Sequence, residues 1–552
     1  MTTTPRVHWW IGLALLALGG LMAGVFLGPR RALAVIPRAP EDQNVLRVAY
    51  TQHLVPDPNR RSFPMAPGNQ FILGLWEPLV ECDPDTGEPL PAAAQSWEWS
   101  ADRKVLTLKL RPDARWSNGD PVTAHDFVRG WSRLLRQTMA WAQNLFPLHN
   151  AEAYHRGQIK DLAAVGLHAL DDLTLRLELD QIRSTLVAEL ADPLLAPLHA
   201  SSAQVLADKA YFSNPAKLVT NGPFQLQSAN DNGFRLQACP YYHGRTDVRL
   251  AGVQFIRTGS PSAAVLLLAA GAVDVVSPTP WEEMEMPTNR PVKRELELVL
   301  GVTTIDFNVT RGPLRDVRVR QALALALDRN SPVEKFNPGR MTPAWSMVPD
   351  MPGRPGLQLL KENADEARRL LAAAGYSGGK GFPVLDLSLP LWETSDPYPA
   401  TWTEQWYREL GVKTHLVYEP GPVRSKRMTA EGDYDVFYGT LLATVPDAGD
   451  LMSGYLWPSE YSVNKWSDKE VVRLLTAANT KTGAEHLALL EKAERLIMAA
   501  VPSVPVMFEQ RQSLLADEVR GWYQDPLARQ SLRRLWLEPG PLHSNPNPDP
   551  RL

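Results

Sequence analysis

Residues 111–127 read RPDARWSNGDPVTAHDF, and no other stretch of the chain carries so clear a structural pattern. An alternating run, Val105–Leu110, precedes it and predicts a strand with one buried face. The Asn-Gly pair at 118–119 suits the positive-φ positions of a tight turn. Thr123 and Asp126 are three residues apart, as in a capping box that begins a helix. The stretch therefore predicts a strand, a turn and a capped helix.

Strand and helix patterns alternate on both sides of this unit. Capping residues predict helices that begin after Asn363 and Ser467 and a helix that ends at Gly411. Further alternating runs predict strands with one buried face at Val45–Tyr50, Lys104–Leu110, Leu173–Leu179, Val384–Leu389 and Lys413–Tyr418. Because both patterns recur along the whole chain, the predicted class is α/β with more than one sheet.

The composition excludes several classes of protein. The 552 residues suffice for two to four packing units, and 44% hydrophobic with 21% charged residues is typical of a globular protein. A net charge of −4 without a long basic run argues against nucleic-acid binding. Cys82 and Cys239 are too few for a disulfide framework, and their pairing stays open. No nucleophile, zinc or phosphate-loop motif occurs, so no catalytic residue, metal or cofactor is predicted.

The N-terminus indicates export. Residues 9–27 carry no charge and are long enough to span a bilayer, which needs about 20 apolar residues. Residues 32–34 read Ala-Leu-Ala, an A-x-A cleavage pattern. Residues 1–34 are therefore either a signal peptide or an N-terminal membrane anchor, followed by a polar linker at 35–44. Residues 539–552 hold five prolines and are predicted to be a disordered tail.

Several segments together resemble one protein family. The order Trp-Ser-Asn-Gly-Asp-Pro-Val-Thr-Ala-x-Asp at 116–126 resembles the signature of the peptide/nickel-type solute-binding proteins, solute-binding family 5. This family includes the oligopeptide- and dipeptide-binding proteins of ABC transporters. Further segments resemble the family in its order, namely Val219–Phe224, Phe307–Arg329, Tyr434–Val436 and Val501–Val506. The likeness extends over residues 45–537.

The resemblance implies a two-lobed periplasmic-binding-protein fold of type II, α/β in class, whose first lobe is split into two subdomains. The first lobe would comprise 45–300 and a return segment at 510–538, and the second lobe 301–509. Such a protein is a monomer outside the cytoplasm that closes around an oligopeptide and delivers it to the permease subunits of an ABC transporter. It is not an enzyme, and it touches the membrane through residues 9–27 only if these are retained.

The resemblance also implies where the ligand lies. In oligopeptide binders the extended peptide pairs with strand backbones of the protein, so that main-chain hydrogen bonds give sequence-independent affinity. The matching segments here are Gln52–Val55 in the first lobe and Tyr438–Thr444 in the second. The candidate ligand-binding residues are Gln52, His53, Leu54, Val55, Tyr438, Gly439, Thr440, Leu441, Leu442, Ala443, Thr444 and Asp447.

The sequence departs from the family at the acid that meets the ammonium of a peptide. Family members have Trp-x-Ala-Asp-Tyr, whereas Leu441–Val445 places Thr444 at the position of the acid, and Asp447 or Asp450 would have to replace it. Gln52-His53 likewise replaces a Glu-Pro pair. These departures leave open a non-peptide ligand, such as an oligosaccharide, an opine or a nickel chelate. Two other functions also stay open, namely a membrane-anchored sensor and a cell-wall hydrolase. Four tryptophans could line a pocket or pack in the core, namely Trp392, Trp402, Trp406 and Trp457.

Overall fold

The structure is a computed structural model that describes the greater part of the chain. The described residues are 39, 42–51, 54–59, 68–84, 86–136, 140–203, 211–277, 291–338, 341–351, 354–391, 394, 396–427, 432–456, 462–523, 527 and 529–538. The predicted leader at 1–34 and tail at 539–552 lie outside these residues, as do Gln52, His53, Trp392 and Trp457. Among the described residues, no helix combines the length and the apolar character needed to cross a bilayer.

The strands are numbered in chain order. They are β1 (Val45–Tyr50), β2 (Val80–Cys82), β3 (Pro89–Pro91), β4 (Ala94–Trp99), β5 (Val105–Leu110), β6 (Leu167–Asp171), β7 (Thr174–Glu178), β8 (Phe224–Asn230), β9 (Gly233–Ala238), β10 (Gly252–Arg257), β11 (Val275–Val276), β12 (Val292–Phe307), β13 (Thr342–Pro343), β14 (Leu385–Pro390), β15 (Thr414–Glu419), β16 (Val436–Leu442), β17 (Ser503–Ala516), β18 (Val519–Arg520) and β19 (Trp536–Leu537).

The α-helices are numbered in the same way. They are α1 (Gly68–Leu75), α2 (Ala124–Arg136), α3 (Ala151–His155), α4 (Leu186–Glu189), α5 (Ala200–Ala203), α6 (Pro261–Ala269), α7 (Val317–Leu325), α8 (Asn330–Phe336), α9 (Ala364–Ala373), α10 (Tyr398–Leu410), α11 (Gly421–Lys426), α12 (Lys469–Ala478) and α13 (Gly483–Ala500).

One long mixed sheet runs through the molecule in the order β15-β14-β16-β12-β17-β11-β1-β10-β9-β8, with β13 beside β17. A separate sheet, β4-β5-β7-β6, lies apart from it. The two long strands β12 and β17 pair with each other and connect the two halves of the large sheet. Their ladder is interrupted where Leu298 and Val302 of β12 face Gln510 and Phe508 of β17, so that three residues oppose one. We call this interruption the β12 bulge (residues 299–301).

Three hydrophobic cores fill the α/β architecture. The first core is built from side chains between Leu46 and Val276 together with the C-terminal stretch 514–535. The second core, within 79–195, packs around the small sheet. The third core spans 300–507 and includes Leu527. Leu527 belongs to the third core, whereas Val519 and Leu532, on either side of it in the C-terminal stretch, belong to the first.

The strand, turn and capped helix predicted for 105–127 are confirmed, although only Gly119 of the Asn-Gly pair has a positive φ. Gly119 has a φ of 91°, and α2 begins at Ala124. The Asp126 carboxylate accepts hydrogen bonds from the Thr123 backbone N–H at 2.9 Å and from Trp116 Nε1 at 3.1 Å. Because the indole is fully buried, the cap also anchors the helix to the second core.

The structure corrects one sequence expectation and decides two that were left open. All six residues of β1 are buried, whereas one buried face was predicted. The strand lies between the parallel neighbours β10 and β11, and strands inside parallel sheets are covered on both faces. Cys82 and Cys239 are not joined by a disulfide bond. Trp402 and Trp406 are completely buried in the third core and therefore do not line a pocket.

Candidate functional site

The strand β16 has one edge without a neighbouring strand over Thr440–Leu442. On one side, β12 pairs with β16 along its whole length. On the other side, β14 reaches only Val436 and Phe437. Within the described ranges, no strand continues this second side beyond Phe437. We call the edge at residues 440–442 the open edge.

The hydrogen bonds to β12 show which backbone groups lie at the open edge. Ala443 N donates to Leu300 O at 2.8 Å, and the register pairs Thr440 with Thr303. In an antiparallel ladder, residues alternate between bonding to the partner strand and pointing away from it. Thr440 and Leu442 therefore direct their N–H and C=O groups away from β12. The side chains of Thr440 and Leu441 are exposed, so that an extended ligand can reach this edge.

A buried carboxylate lies on the sheet face beside the open edge. The Thr303 hydroxyl donates to Glu509 Oε1 at 2.5 Å and lies 2.9 Å from the Thr440 hydroxyl. Glu509 is only 7% exposed. Burial raises its pKa, and the negative charge of nearby Asp396 adds to the rise. Asp396 itself accepts from the Tyr398 N–H at 2.9 Å and from the Tyr438 hydroxyl at 3.2 Å.

Sequence reasoning missed Glu509 and Asp396. Their neighbours Thr303 and Thr440 come from strands that are far apart in the chain, so no local spacing connects them. The one available pattern was an acid at position 509 inside the apolar alternation of β17, which reads SVPVMFEQ at its start.

The loop after β16 uses its polar groups internally. Asp450 Oδ2 accepts from the Thr444 N–H at 2.5 Å and from the Thr444 hydroxyl at 3.0 Å. Arg529 donates to the Thr444 carbonyl oxygen at 2.6 Å. Burial raises the pKa of Asp450. Thr444, the residue at the position of the family's acid, is therefore hydrogen-bonded through its backbone and its side chain.

Asp447 forms a pair with His486. Its Oδ2 lies 2.8 Å from His486 Nε2, while His486 Nδ1 lies 2.9 Å from the Ala478 carbonyl oxygen. Both ring nitrogens thus face acceptors, and the pKa of His486 is raised, chiefly by the hydrogen bond to Asp447. Asp447 Oδ1 accepts from the Gly449 N–H at 2.7 Å. That Asp447 or Asp450 meets a ligand ammonium stays a prediction, and it would require either carboxylate to exchange a present partner.

The first-lobe segment 52–55 is described only in part. Leu54 is buried in the first core and Val55 is half-buried, so the side chain of Leu54 packs inside the lobe. The remaining candidates lie on β16 or directly after it. Tyr438 is buried, Gly439 and Leu442 are half-buried, and Ala443 follows β16 with 9% exposure. Their contact with a ligand stays a prediction.

Two pairs of distant segments meet beside this site. Arg529 donates to the Thr444 carbonyl oxygen, and the Ser184 N–H donates to the Asn479 carbonyl oxygen at 3.1 Å. A cleft of about 330 Å³ lies between them, lined by Arg183 and Thr185 on one side and by residues that include Asp447 and Asp450 on the other.

A larger cleft, about 580 Å³, lies on the first lobe rather than at β16. Its main acid, Glu77, already accepts from the Tyr242 hydroxyl at 2.5 Å and lies 2.9 Å from His243 Nε2. The open edge is an exposed strand edge and not a cavity, so the size of the larger cleft does not displace it as the candidate. Nowhere in the described part of the chain do three His, Cys, Asp or Glu side chains come together as metal ligands.

Comparison with known proteins places the chain among binding proteins. The model of the bacterial extracellular solute-binding proteins, family 5 Middle, matches residues 88–462. The periplasmic murein peptide-binding protein MppA of Escherichia coli is 27% identical over 474 residues, which cover 83% of this chain and 86% of the relative. The periplasmic oligopeptide-binding protein OppA of Salmonella typhimurium is 27% identical over 498 residues, or 85% and 88% of the two chains.

A solved structure agrees with these sequence matches. The crystal structure of Haemophilus influenzae OppA in complex with the peptide RPPGFSPFR superposes with a TM-score of 0.75 and 25% identity. The superposition covers 90% of this chain and 99% of the other. The two-lobed fold is therefore common to both proteins.

Proposed function

The chain belongs to the bacterial extracellular solute-binding proteins of family 5, and from this premise we propose that it captures oligopeptides outside the cytoplasm and delivers them to the permease of an ABC transporter. Its relatives carry the names of binding proteins and not of enzymes. We extend that to this chain and propose that it acts without catalysis and as a monomer.

The open edge of β16 is the observation that supports a peptide ligand. Thr440 and Leu442 present backbone donors and acceptors in an exposed position, and an extended peptide can satisfy them as an added strand. Affinity then comes from main-chain hydrogen bonds, which do not depend on the ligand's side chains. Pairing of this kind suits a protein that accepts many peptides.

The lobes are proposed to close about the β12 bulge. We take 45–300 with 510–538 as the first lobe and 301–509 as the second, so that β12 and β17 cross between them. A bulge interrupts the ladder at this crossing, and a local change of φ and ψ there can rotate one lobe against the other. The ligand would be enclosed between residues 52–55 and 438–444.

Replacing Thr440 by proline tests the added-strand hypothesis. Proline removes the N–H that the ligand would use and places its ring in the open edge, while the bonds of Gly439 and Leu441 to β12 remain. Edge positions tolerate proline, so the fold should persist. We expect Thr440→Pro to weaken binding of a mixed tetrapeptide pool at least tenfold in isothermal titration calorimetry.

Thr440→Val is the matched control because it removes the hydroxyl but keeps the backbone N–H. It should bind the pool within about threefold of the wild type, and both variants should keep the circular dichroism spectrum of the wild type. Equal affinity of the proline and valine variants would rule out pairing at this edge.

A non-peptide solute remains the second candidate, because Thr444 occupies the position of the acid that meets a peptide's ammonium in the family. Native mass spectrometry of the freshly purified protein separates the two candidates. A retained ligand whose mass and fragments are those of a peptide supports the first, whereas sugar, opine or nickel-chelate masses support the second. A protein that never retains or binds a solute would favour the sensor hypothesis.

Export is proposed from residues 9–34. A reporter enzyme that is active only outside the cytoplasm should function when fused after residue 40, and a reporter that needs the cytoplasm should not. N-terminal sequencing of the native protein then separates two outcomes: a start at Val35 indicates a released periplasmic protein, and an intact N-terminus indicates an inner-membrane anchor.

A further inference from the structure

Glu509 stands apart from the other buried carboxylates of the described chain. Most of these form an ion pair with a positively charged side chain. The pairs with arginine are Arg47–Asp274, Arg129–Asp126, Arg133–Asp57, Arg183–Glu189, Arg354–Glu494 and Arg427–Glu419. No Lys, Arg or His of the described residues lies within ion-pair distance of Glu509, although it is only 7% exposed. Buried carboxylates are normally paired, because an isolated charge loses its hydration without compensation.

The hydrogen bonds of Glu509 are also incomplete. Both hydroxyls near it, from Thr303 and Thr440, lie against the same oxygen, Oε1, at 2.5 and 3.5 Å. Among the described residues no donor faces Oε2. Asp306, a buried acid on the neighbouring strand, differs in this respect: Ser503 donates to its Oδ1, and Thr304 donates to its Oδ2 at 2.8 Å. Glu509 therefore has one oxygen available for a further donor.

The position of Glu509 connects this oxygen to the ligand site. The residue is the single one of β17 that opposes the β12 bulge, between the pairs of Phe508 and Gln510. A Cβ atom added to Gly301 in the bulge would lie 3.2 Å from Glu509 Cγ, so glycine leaves space for this side chain. Thr440, at the open edge, is exposed and shares the sheet face with Thr303. A group that extends over this face from a ligand on the open edge would approach the Glu509 carboxylate, since the Thr440 hydroxyl lies 3.5 Å from its Oε1.

We propose that Glu509 binds a protonated primary amine of the ligand, on the sheet face beside the open edge of β16. This inference rests on the proposed function and gives it a chemical class: the ligand carries an ammonium group, either at a peptide N-terminus or on an amine side chain. An ammonium is compact and offers three donors. Glu509 Oε2 and the Asp396 carboxylate lie on or near this face and can accept them. Two carboxylates with hydroxyls suit an amine better than a metal, since three metal-ligating side chains do not converge in the described residues.

Glu509→Gln tests the proposal because it keeps the shape and the acceptor for Thr303 but removes the charge. Three tetrapeptide pools serve as probes, each made without Arg or His: one with free N-termini and no Lys, its N-acetylated counterpart, and an N-acetylated pool with one Lys. The wild type should bind at least one amine-bearing pool tenfold or more tightly than the acetylated pool without Lys. Charge-assisted hydrogen bonds of buried groups have this effect or a larger one.

Glu509→Gln should lose at least tenfold affinity for that amine-bearing pool and none for the acetylated pool without Lys. Whether the free N-terminus or the Lys pool responds identifies the source of the amine. Glu491→Gln, the same change on the exposed surface of α13, is the matched control and should bind like the wild type. Thr440→Lys is a second variant. The ammonium of the new lysine should reach Glu509, raise the melting temperature of the protein and lower its affinity for the amine-bearing pool.

Two results would overturn the proposal while leaving the proposed function intact. One is a Glu509→Gln variant that binds all pools as the wild type does. The other is a loss of amine recognition in Asp447→Asn alone, which would assign the ammonium to the residue predicted from the sequence. If the wild type binds no pool, the proposed peptide function fails, and the amine proposal fails with it.

Discussion

At the scale of single residues, the pair formed by Asp447 and His486 gives the second lobe a dependence on pH. The imidazole donates to a carboxylate and to the Ala478 carbonyl oxygen, and both contacts favour its protonated form. The pKa of His486 is therefore raised above 6.5. A histidine whose pKa rises on folding stabilises the folded protein fully below its unfolded pKa, and this stabilisation is lost as the pH rises through the folded value.

We expect His486→Gln to lower the free energy of unfolding by about 1.5–3 kcal/mol at pH 5.5, the range for a hydrogen bond to a charged group. The loss should be smaller at pH 8.5, because the stabilisation by the charged imidazole declines as the pH rises through the folded pKa of His486. Urea unfolding of both proteins at the two pH values measures the difference. Asp447→Asn should behave similarly and weaken the pH dependence. A loss of the same size at both pH values would contradict a charged pair.

Single residues were predictable from the sequence only where their partners are close in the chain. Thr444 and Asp450 are six residues apart, and an acid near this loop was expected, although its role was not: Asp450 holds the loop itself. Glu509 depends on partners 69 and 206 residues away. No spacing rule connects such residues, because the register of three strands brings them together.

At the scale of elements, helix caps were predicted well because all their atoms lie within one turn. The helix after Asn363 begins as expected, and the helix before Gly411 ends as expected. The helix predicted after Ser467 is capped one residue later, by Asp468, whose Oδ1 accepts from the N–H groups of Glu470 at 2.8 Å and Val471 at 3.0 Å. Both residues could cap, and the carboxylate reaches two donors at once. The burial of β1 was not predictable, since it depends on neighbours from distant parts of the chain.

Asp126→Ala tests the cap that begins α2. The variant loses the acceptor for the Thr123 N–H and leaves the buried indole N–H of Trp116 without a partner. Each unsatisfied buried donor costs about 1–3 kcal/mol, and we expect a loss of about 2–4 kcal/mol in the free energy of unfolding. Chemical unfolding measures it. Asp113→Ala, an exposed acid of the same segment, is the control, and an equal loss in both variants would disprove the role of the cap.

At the scale of the whole molecule, the hydrogen bond from Arg529 to the Thr444 carbonyl oxygen joins the two lobes as we propose their boundaries. A bond to a charged donor stabilises by about 1.5–3 kcal/mol. In Arg529→Gln, the ratio of open to closed molecules should therefore rise at least tenfold. The apparent affinity for ligand should fall by a similar factor. Small-angle X-ray scattering of the ligand-free variant should give a larger radius of gyration than that of the wild type.

Arg520→Gln provides the control for this prediction, because Arg520 pairs with Glu538 in its own lobe. It should leave the radius of gyration and the affinity unchanged. An Arg529→Gln variant with the shape and affinity of the wild type would show that the closed form does not depend on this bond.

The C-terminal stretch that completes the first core also fixes the time at which the protein can fold. Leu514–Ala516, Leu532 and Leu535 leave the ribosome long after Leu46 and Val48, yet all of them belong to the first core. Contacts over such distances form slowly, because the whole intervening chain has to be ordered with them. The first core thus stays incomplete until the chain has been synthesised past residue 535, whereas the second core needs no residue beyond 195. Until then, the segments of the first core stay unfolded. Passage through an export channel would require an unfolded chain, and the topology of the fold itself would keep these segments in that state.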